Sequence, residues 1–356
     1  MASKLRRPIN GAPPIMHGTS PSAAYGINLG YGFSKSFMLV SGESPRHIIF
    51  PSLISEASAV ASGSVQDVRT VVYGNRSFWV GEDALLASSA PMTAIGSSRL
   101  DDPLFYPVLL RATLDALNAW EYPGVCVTGL PATMIGRQYA ERLGDHFRAA
   151  TADRPVFVEP EGIYVIPEPV CLLYAWLLDD TGAERMPGAL RGARYAYLDI
   201  GHYTVDGGTI ENGVVTKEKL FSRPMGTYRW LSEIRSMLIA AFHRDFTLFE
   251  TDEAVRRGAV EVRGKWLPLP DGWDAPIHRH AVALRSLCEE QWQDGGQFRS
   301  IIVGGGGAEQ QRLIEPLLHR YDHIDVVDDP QFAIARGAAR RARQILTVRL
   351  LHAPHP

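Results

Sequence analysis

The chain predicts a duplicated α/β fold, two related halves that each carry a sheet flanked by helices. Three observations lead there. Tyr25-Gly-Ile-Asn28-Leu-Gly30-Tyr31-Gly32-Phe-Ser-Lys35 has a partner 171 positions on, Tyr197-Leu-Asp199-Ile-Gly201-His202-Tyr203-Thr204-Val-Asp206, with the Asx and Gly positions in register. Strand-like and helix-like apolar spacings alternate between and after these copies. A loop with Gly and Pro, Asp179 to Arg194, separates the halves.

Residues 1–24, rich in Pro, Gly and Ser, read as a flexible arm too polar to pack. In each copy an apolar run reaches an Asx-x-Gly turn and re-enters a β-favouring run, Phe37 to Val40 or Thr209 to Val215, the pattern of a hairpin whose turn is open to a ligand. Residues 45–100 read as an inserted lobe, with strands at Arg46 to Leu53, Val71 to Tyr73 and Phe78 to Gly81. Phe105 to Trp120 has helical spacing, Val125 to Pro131 reads as a buried strand, and a helix is expected around Tyr139 to Ala149. Strands at Val156 to Val158 and Tyr164 to Ile166 precede Pro167-Glu168-Pro169, which opens a helix from Val170 to Leu178 with Pro169 near its first position, where a missing N–H is harmless. The first domain is placed at 25–190 and the second at 191–356, the latter with an inserted lobe over about 225–297. Tyr228 to Phe242, Asp252 to Gly258 and Ala281 to Trp292 supply its helices. Ser300 to Val303 is then a buried strand that enters Gly304-Gly305-Gly306-Gly307 and a helix from about Glu309, with Pro316 inside it or ahead of it.

Composition agrees with this reading. At 356 residues, 46% hydrophobic and 21% charged, the chain is globular with room for two domains. A net charge of −3 gives no sign of direct nucleic-acid binding, so a DNA contact would need a local basic patch or a partner protein. Cys126, Cys171 and Cys288 are far apart and form no CxxC, which suggests neither a zinc site nor a disulfide scaffold and fits a reducing cytoplasm. No apolar run approaches the roughly 18 residues of a membrane span. Lys4, Arg6 and Arg7 lead into Pro and Gly, so no signal peptide is expected.

Two turns facing each other would make a phosphate clamp. Glycine lets backbone N–H groups approach an anion, and an adjacent carboxylate or amide can hold a hydrated metal ion. Each element also has a plainer reading. Gly304 to Gly307 could be a flexible turn, and it fits neither common nucleotide fingerprint: no Gly-Lys-Ser/Thr is present, and Glu309 stands where the last Rossmann glycine belongs. Lys35 could be solvated surface, Glu168 could serve the helix dipole, Asp199 and Asp206 could be turn-makers, and Thr204 an ordinary strand residue. Order and combination raise them together: Asx turn, Lys, Glu-Pro helix, second Asp turn, glycine run and helix.

That order resembles the actin-like ATPase superfamily, in its bacterial and plasmid ParM branch. Asn28 to Lys35 looks like the first phosphate motif, Pro167-Glu168-Pro169 like the first connecting helix, Asp199 to Thr204 like the second phosphate motif, and Val303 to Ala308 like the adenosine motif. Asp329 to Gly337 looks like the second connecting helix, and Phe50 to Leu53, Val80 to Glu82 and Thr128 to Pro131 also match this branch. The resemblance implies an actin-like, ribonuclease H-like duplicated fold with ATP or ADP and Mg²⁺ between the domains. It implies that Gly30, Tyr31, Gly32, Gly201, His202, Tyr203 and Thr204 line the phosphates and that Lys35 bridges their charge. Asn28 and Asp199 would meet Mg²⁺ through water, Glu168 would position or deprotonate the attacking water, and Gly304, Gly305, Gly306 and Gly307 would bind the nucleotide, with Gly305 and Gly306 passing beneath the adenosine. Such chemistry works by placement and charge stabilisation.

Two departures stand out: Asn28 occupies a position usually Asp, which implies weaker metal binding or hydrolysis, and His202 and Tyr203 make the second turn bulkier. The family's output is nucleotide-controlled filaments, which implies self-association, plasmid DNA segregation through a DNA-binding adaptor, and a bacterial cytoplasm. A small-molecule kinase, a non-polymerising nucleotide-dependent regulator and a heat-shock-type chaperone are the rivals. The chaperone is disfavoured because the chain ends at Pro356 without a peptide-binding domain.

Overall fold

A computed structural model describes residues 22–57, 68–88, 91–93, 100–134, 136–157 and 162–352. Strands β1 (Ala23–Leu29), β2 (Phe33–Val40) and β3 (Arg46–Pro51) form an antiparallel meander. A small sheet follows, made of β4 (Ile54–Glu56), β5 (Thr70–Tyr73) and β6 (Arg76–Val80), and then one helical turn, α1 (Ala84–Ala87). Helix α2 (Phe105–Ala116) leads to β7 (Gly124–Leu130), and α3 (Arg137–Ala150) to β8 (Ile163–Pro167). Both strands add in parallel, giving the order β3-β2-β1-β7-β8. Helix α4 (Glu168–Leu177) starts directly from β8.

The pattern then repeats. Strands β9 (Arg194–Ile200), β10 (Val205–Glu211) and β11 (Val214–Arg223) form the second meander. Helices α5 (Tyr228–Phe242) and α6 (Leu248–Arg257), the hairpin β12 (Ala259–Val262) and β13 (Lys265–Pro268), and α7 (Ala275–Trp292) come next. Strand β14 (Ser300–Gly304), α8 (Gln311–Arg320) and β15 (Ile324–Val326) complete the order β11-β10-β9-β14-β15, and α9 (Ala333–His352) follows. Counted from its own first strand, the second sheet has the connectivity of the first.

Strand alternation decides what each face covers. Tyr25, Ile27 and Leu29 of β1 join a core with Phe105, Leu109 and Phe147 of α2 and α3. Ala24, one residue out of phase, joins a second core with α4 and α9, and Tyr195 and Tyr197 of β9 enter that same core from the other sheet. Ala196, Leu198 and Ile200 turn away to a third core built with α5, α7 and α8. Helices α4 and α9 are therefore sandwiched between the two sheets. Each fully buried Leu or Ile in these cores contributes about 1.5–3 kcal/mol.

The central layer depends on close backbone approach. A Cβ on Gly337 of α9 would lie 1.8 Å from the Cys171 carbonyl oxygen of α4, and one on Gly26 of β1 would lie 1.8 Å from the Ala335 carbonyl oxygen. Two buried guanidinium groups fasten α9 on both sides: Arg343 donates to the Leu39 carbonyl at 2.6 Å, and Arg340 donates to the Ala175 carbonyl at 2.5 Å and to Asp180 at 2.8 Å. Buried charge is tolerated there because it is hydrogen-bonded.

Several expectations are corrected. The ordered chain begins before residue 25, because Ala23 pairs with both Val40 and Gly124; residues 1–21 of the expected arm lie outside the described residues. Arg46 to Pro51 belongs to the main sheet and not to an inserted lobe, since Lys35 pairs with Ile49. Of that lobe, residues 58–67, 89–90 and 94–99 lie outside the described residues. The strand expected at Val156 to Val158 is reduced to a single bridge, Gly124 to Phe157, with 158 outside. Helix α4 starts two residues early, at Glu168. Helix α9, assigned by chain order to the second half, packs on β1, β2 and β7 of the first through its alanine face. Helix α8 starts at Gln311 and keeps Pro316 inside it.

Candidate functional site

The two hairpins present the same register. Asn28 pairs with Lys35 across the first, and Asp199 pairs with Asp206 across the second, so the repeat places Lys35 and Asp206 at equivalent positions. Sheet pairing thus fixes four polar side chains at the mouths of two turns. Glu168 joins them from the first position of α4, against β7: a Cβ on Gly129 would lie 2.5 Å from Glu168 Cγ. Asn28 Nδ2 donates to Glu168 Oε1 at 3.3 Å, and Thr204 Oγ1 donates to Asp206 Oδ2 at 2.5 Å.

These groups line or border one cavity of about 650 Å³ between the hairpins. At the two turns one ammonium, Lys35, stands among the carboxyl groups of Glu168, Asp199 and Asp206, while Asp252, Glu309, Arg256 and Arg312 also line the cavity. Burial lowers the pKa of Lys35, while Asp199 and Glu168 oppose that effect. Burial, then the negative charge of Asp206 and Glu168, pushes Asp199 up to about 7 against the attraction of Lys35. Asp206 is also raised by burial, with the Thr204 hydrogen bond opposing. The cluster is thus short of positive charge. Among the described residues, no group of three or more His, Cys, Asp or Glu is placed to hold a metal ion directly.

The comparisons agree with this geometry. Residues 26–170 match the family described as actin like proteins N terminal domain. A pCBH ParM non-polymerisable quadruple mutant is 18% identical, with 90% of this chain and 99% of that one covered and a TM-score of 0.66. A 15-stranded ParM filament from Clostridium botulinum is 17% identical, with 91% and 99% covered and a TM-score of 0.63. Bacillus thuringiensis ParM with ATP is 15% identical, with 93% and 100% covered and a TM-score of 0.62. The chain has an actin-like fold. No curated protein matches it.

The actin-like cleft brings together most of the residues singled out in the sequence. Asn28, Gly30, Tyr31, Gly32 and Lys35 line it from the first hairpin, and Asp199, Gly201, His202, Tyr203 and Thr204 from the second. Glu168, Gly306 and Gly307 complete the set. Gly304 and Gly305 lie behind the wall and not on it. A Cβ on Gly304 would meet Leu172, Val327 and Ala333, so this position serves packing. Gly305 has φ +85° and leaves 2.2 Å between its would-be Cβ and Asp199 Oδ1; it lets the chain cross the Asp199 carboxylate.

Other lining residues were not anticipated. Thr227 and Trp230 come from the start of α5, Asp252 and Arg256 from α6, and Glu309 from the turn after the glycine run. Arg256 pairs with Asp252 at 2.9 Å and also with Glu309. In the sequence, Asp252 and Arg256 show only an i, i+4 ion pair, the mark of a solvated helix face. Their convergence with Glu309 is a tertiary fact.

Proposed function

We propose that the cleft binds ATP with Mg²⁺, hydrolyses it, and uses the nucleotide state to control head-to-tail assembly into filaments. One observation carries the reading: two hairpins of identical register line one cavity, with Lys35 and Glu168 also on its wall. Division into two domains near residue 190 places one turn in each, so a ligand held by both turns favours a closed arrangement. The ParM structures with ATP and as a filament support both halves of the proposal.

In this reading the backbone N–H groups of the Gly30 to Gly32 and Gly201 to Thr204 turns, with the Thr204 hydroxyl, bind phosphate oxygens, and Lys35 neutralises them. Gly306 and Gly307 approach the nucleoside. Water attacks the terminal phosphorus, ADP leaves, and Glu168 orients that water or accepts its proton. A divalent cation fits the site because three carboxylates face one ammonium; Asn28 and Asp199 would hold it through water, and it would neutralise phosphate charge. Open filaments need only a heterologous, non-closing contact.

The resemblance to ParM supports plasmid DNA segregation in a bacterial cytoplasm, with a separate adaptor to reach DNA. No helix among the described residues is long and apolar enough to cross a membrane. One observation favours a second reading, a non-polymerising regulator: Asn28 is neutral and already engaged with Glu168. Negative-stain microscopy with and without ATP separates the two. Filaments that form only with ATP support assembly, and dispersed particles in both samples support the regulator.

A further inference from the structure

The tip of the second turn carries an imidazole that touches the first turn. A Cβ on Gly32 would lie 2.7 Å from His202 Cγ, so the ring rests on the first turn's backbone. Phe33 meets it edge-on at 6.5 Å between centroids, Tyr203 at 4.7 Å and Tyr228 at 5.9 Å. His202 Nδ1 meets Thr227 Oγ1 at 3.2 Å, and Nε2 has no hydrogen-bond partner among the described residues. The ring lines the cavity, between the two turns that the proposed function assigns to phosphates.

Few charges face this ring. Lys35 acts from β2 and Asp252 from α6, and the phenols of Tyr203 and Tyr228 stand beside it from the turn and from α5. Burial keeps the imidazole neutral, down to a pKa of about 4, with Asp252 opposing and Lys35 assisting. A polyphosphate in the cavity reverses that balance, because it places several negative charges beside a ring that has a nitrogen to spare.

We propose that His202 takes a proton from solvent when a nucleoside polyphosphate enters the cleft and then donates a charged N–H to the phosphates, so that nucleotide binding is coupled to proton uptake. The inference rests on the ATP-binding reading above. Its sign follows from linkage: a site that gains a proton on binding binds more tightly as pH falls. Asp199 acts in the opposite sense, since a carboxyl group that ionises on meeting a cation releases a proton. The readout must therefore isolate His202.

The test is calorimetry of the full chain with ATP and Mg²⁺ across about pH 6 to 8, each point in two buffers of different ionisation enthalpy. Wild type is compared with His202→Phe, which keeps a ring, and His202→Gln, which keeps a neutral polar group; circular dichroism checks that each variant folds. Wild type should take up more protons than either variant. Its affinity advantage should widen as pH falls, approaching about tenfold per pH unit where the ring is fully coupled. Equal proton uptake in all three proteins, with an advantage independent of pH, overturns this inference while leaving the ATP site intact. Wild type that binds no ATP overturns both.

Discussion

Asn28 Nδ2 and Glu168 Oε1 are joined by a hydrogen bond of 3.3 Å between residues 140 positions apart in the chain. It ties the first hairpin to the start of α4, and it does so with an amide, which carries no charge. The neutral side chain limits repulsion in a cluster that already holds Glu168, Asp199 and Asp206.

Asn28→Asp should therefore act in two directions. In metal-free buffer the variant loses a charge-assisted hydrogen bond and gains repulsion, a loss of about 1.5–3 kcal/mol. With Mg²⁺ the added charge has a partner, so the cation should raise the melting temperature of the variant more than that of wild type. Thermal denaturation with EDTA and with Mg²⁺ checks this; identical metal responses would show that residue 28 does not face the cation site.

Glu168 and Lys35 should separate hydrolysis from binding. Glu168→Ala is expected to slow ATP turnover by roughly 10²-fold with affinity nearly kept, as for loss of a positioned acid/base group. Lys35→Ala should weaken ATP binding instead, because it removes the cluster's one ammonium. Parallel single-turnover and equilibrium binding measurements decide it. Equal losses of affinity in both variants would make Glu168 a structural residue at a helix start.

The raised pKa of Asp199 has a signed effect on stability. Its folded-state value is about 7, well above that of a free aspartate, so between the two the folded protein holds a proton that the unfolded chain has released. Stability should then fall as pH rises through this window, with the cost absent below about 4 and complete above about 7. Urea denaturation at several pH values in EDTA should show a flatter profile for Asp199→Asn. The same slope in the variant would assign the effect to another group.

Gly337 tests the central layer. In a helix interior Ala is ordinarily better than Gly by about 1 kcal/mol. Here Gly337→Ala places a carbon 1.8 Å from the Cys171 carbonyl, and α4 and α9 must part. We expect a loss of at least ~3 kcal/mol, the upper end for overpacking, read by chemical denaturation. A neutral or stabilising change would mean that the two helices do not cross there.

The hairpins were legible in the sequence because their pattern is local: a turn carrying Gly, an Asx beside it, and β-favouring runs on either side. Repetition at a fixed spacing made Asn28, Lys35, Asp199 and Asp206 stand out as a set. The position of α9 was not legible, since its alanine-rich face shows that it is buried but not against which sheet. Nor was the division of labour within Gly304 to Gly307, where two glycines serve packing and two face the cavity. The Arg256 pair with Glu309 spans 53 positions and follows no local spacing, so only the folded chain shows it.

Sedimentation combined with light scattering, with ATP, ADP and no nucleotide, tests the central claim most directly. ATP should drive wild type into pelletable filaments above a critical concentration, ADP and nucleotide-free samples should stay in the supernatant, and Glu168→Ala filaments should outlast wild-type ones. A protein that stays monomeric at high concentration in every nucleotide state would contradict the account and leave the regulator reading in its place.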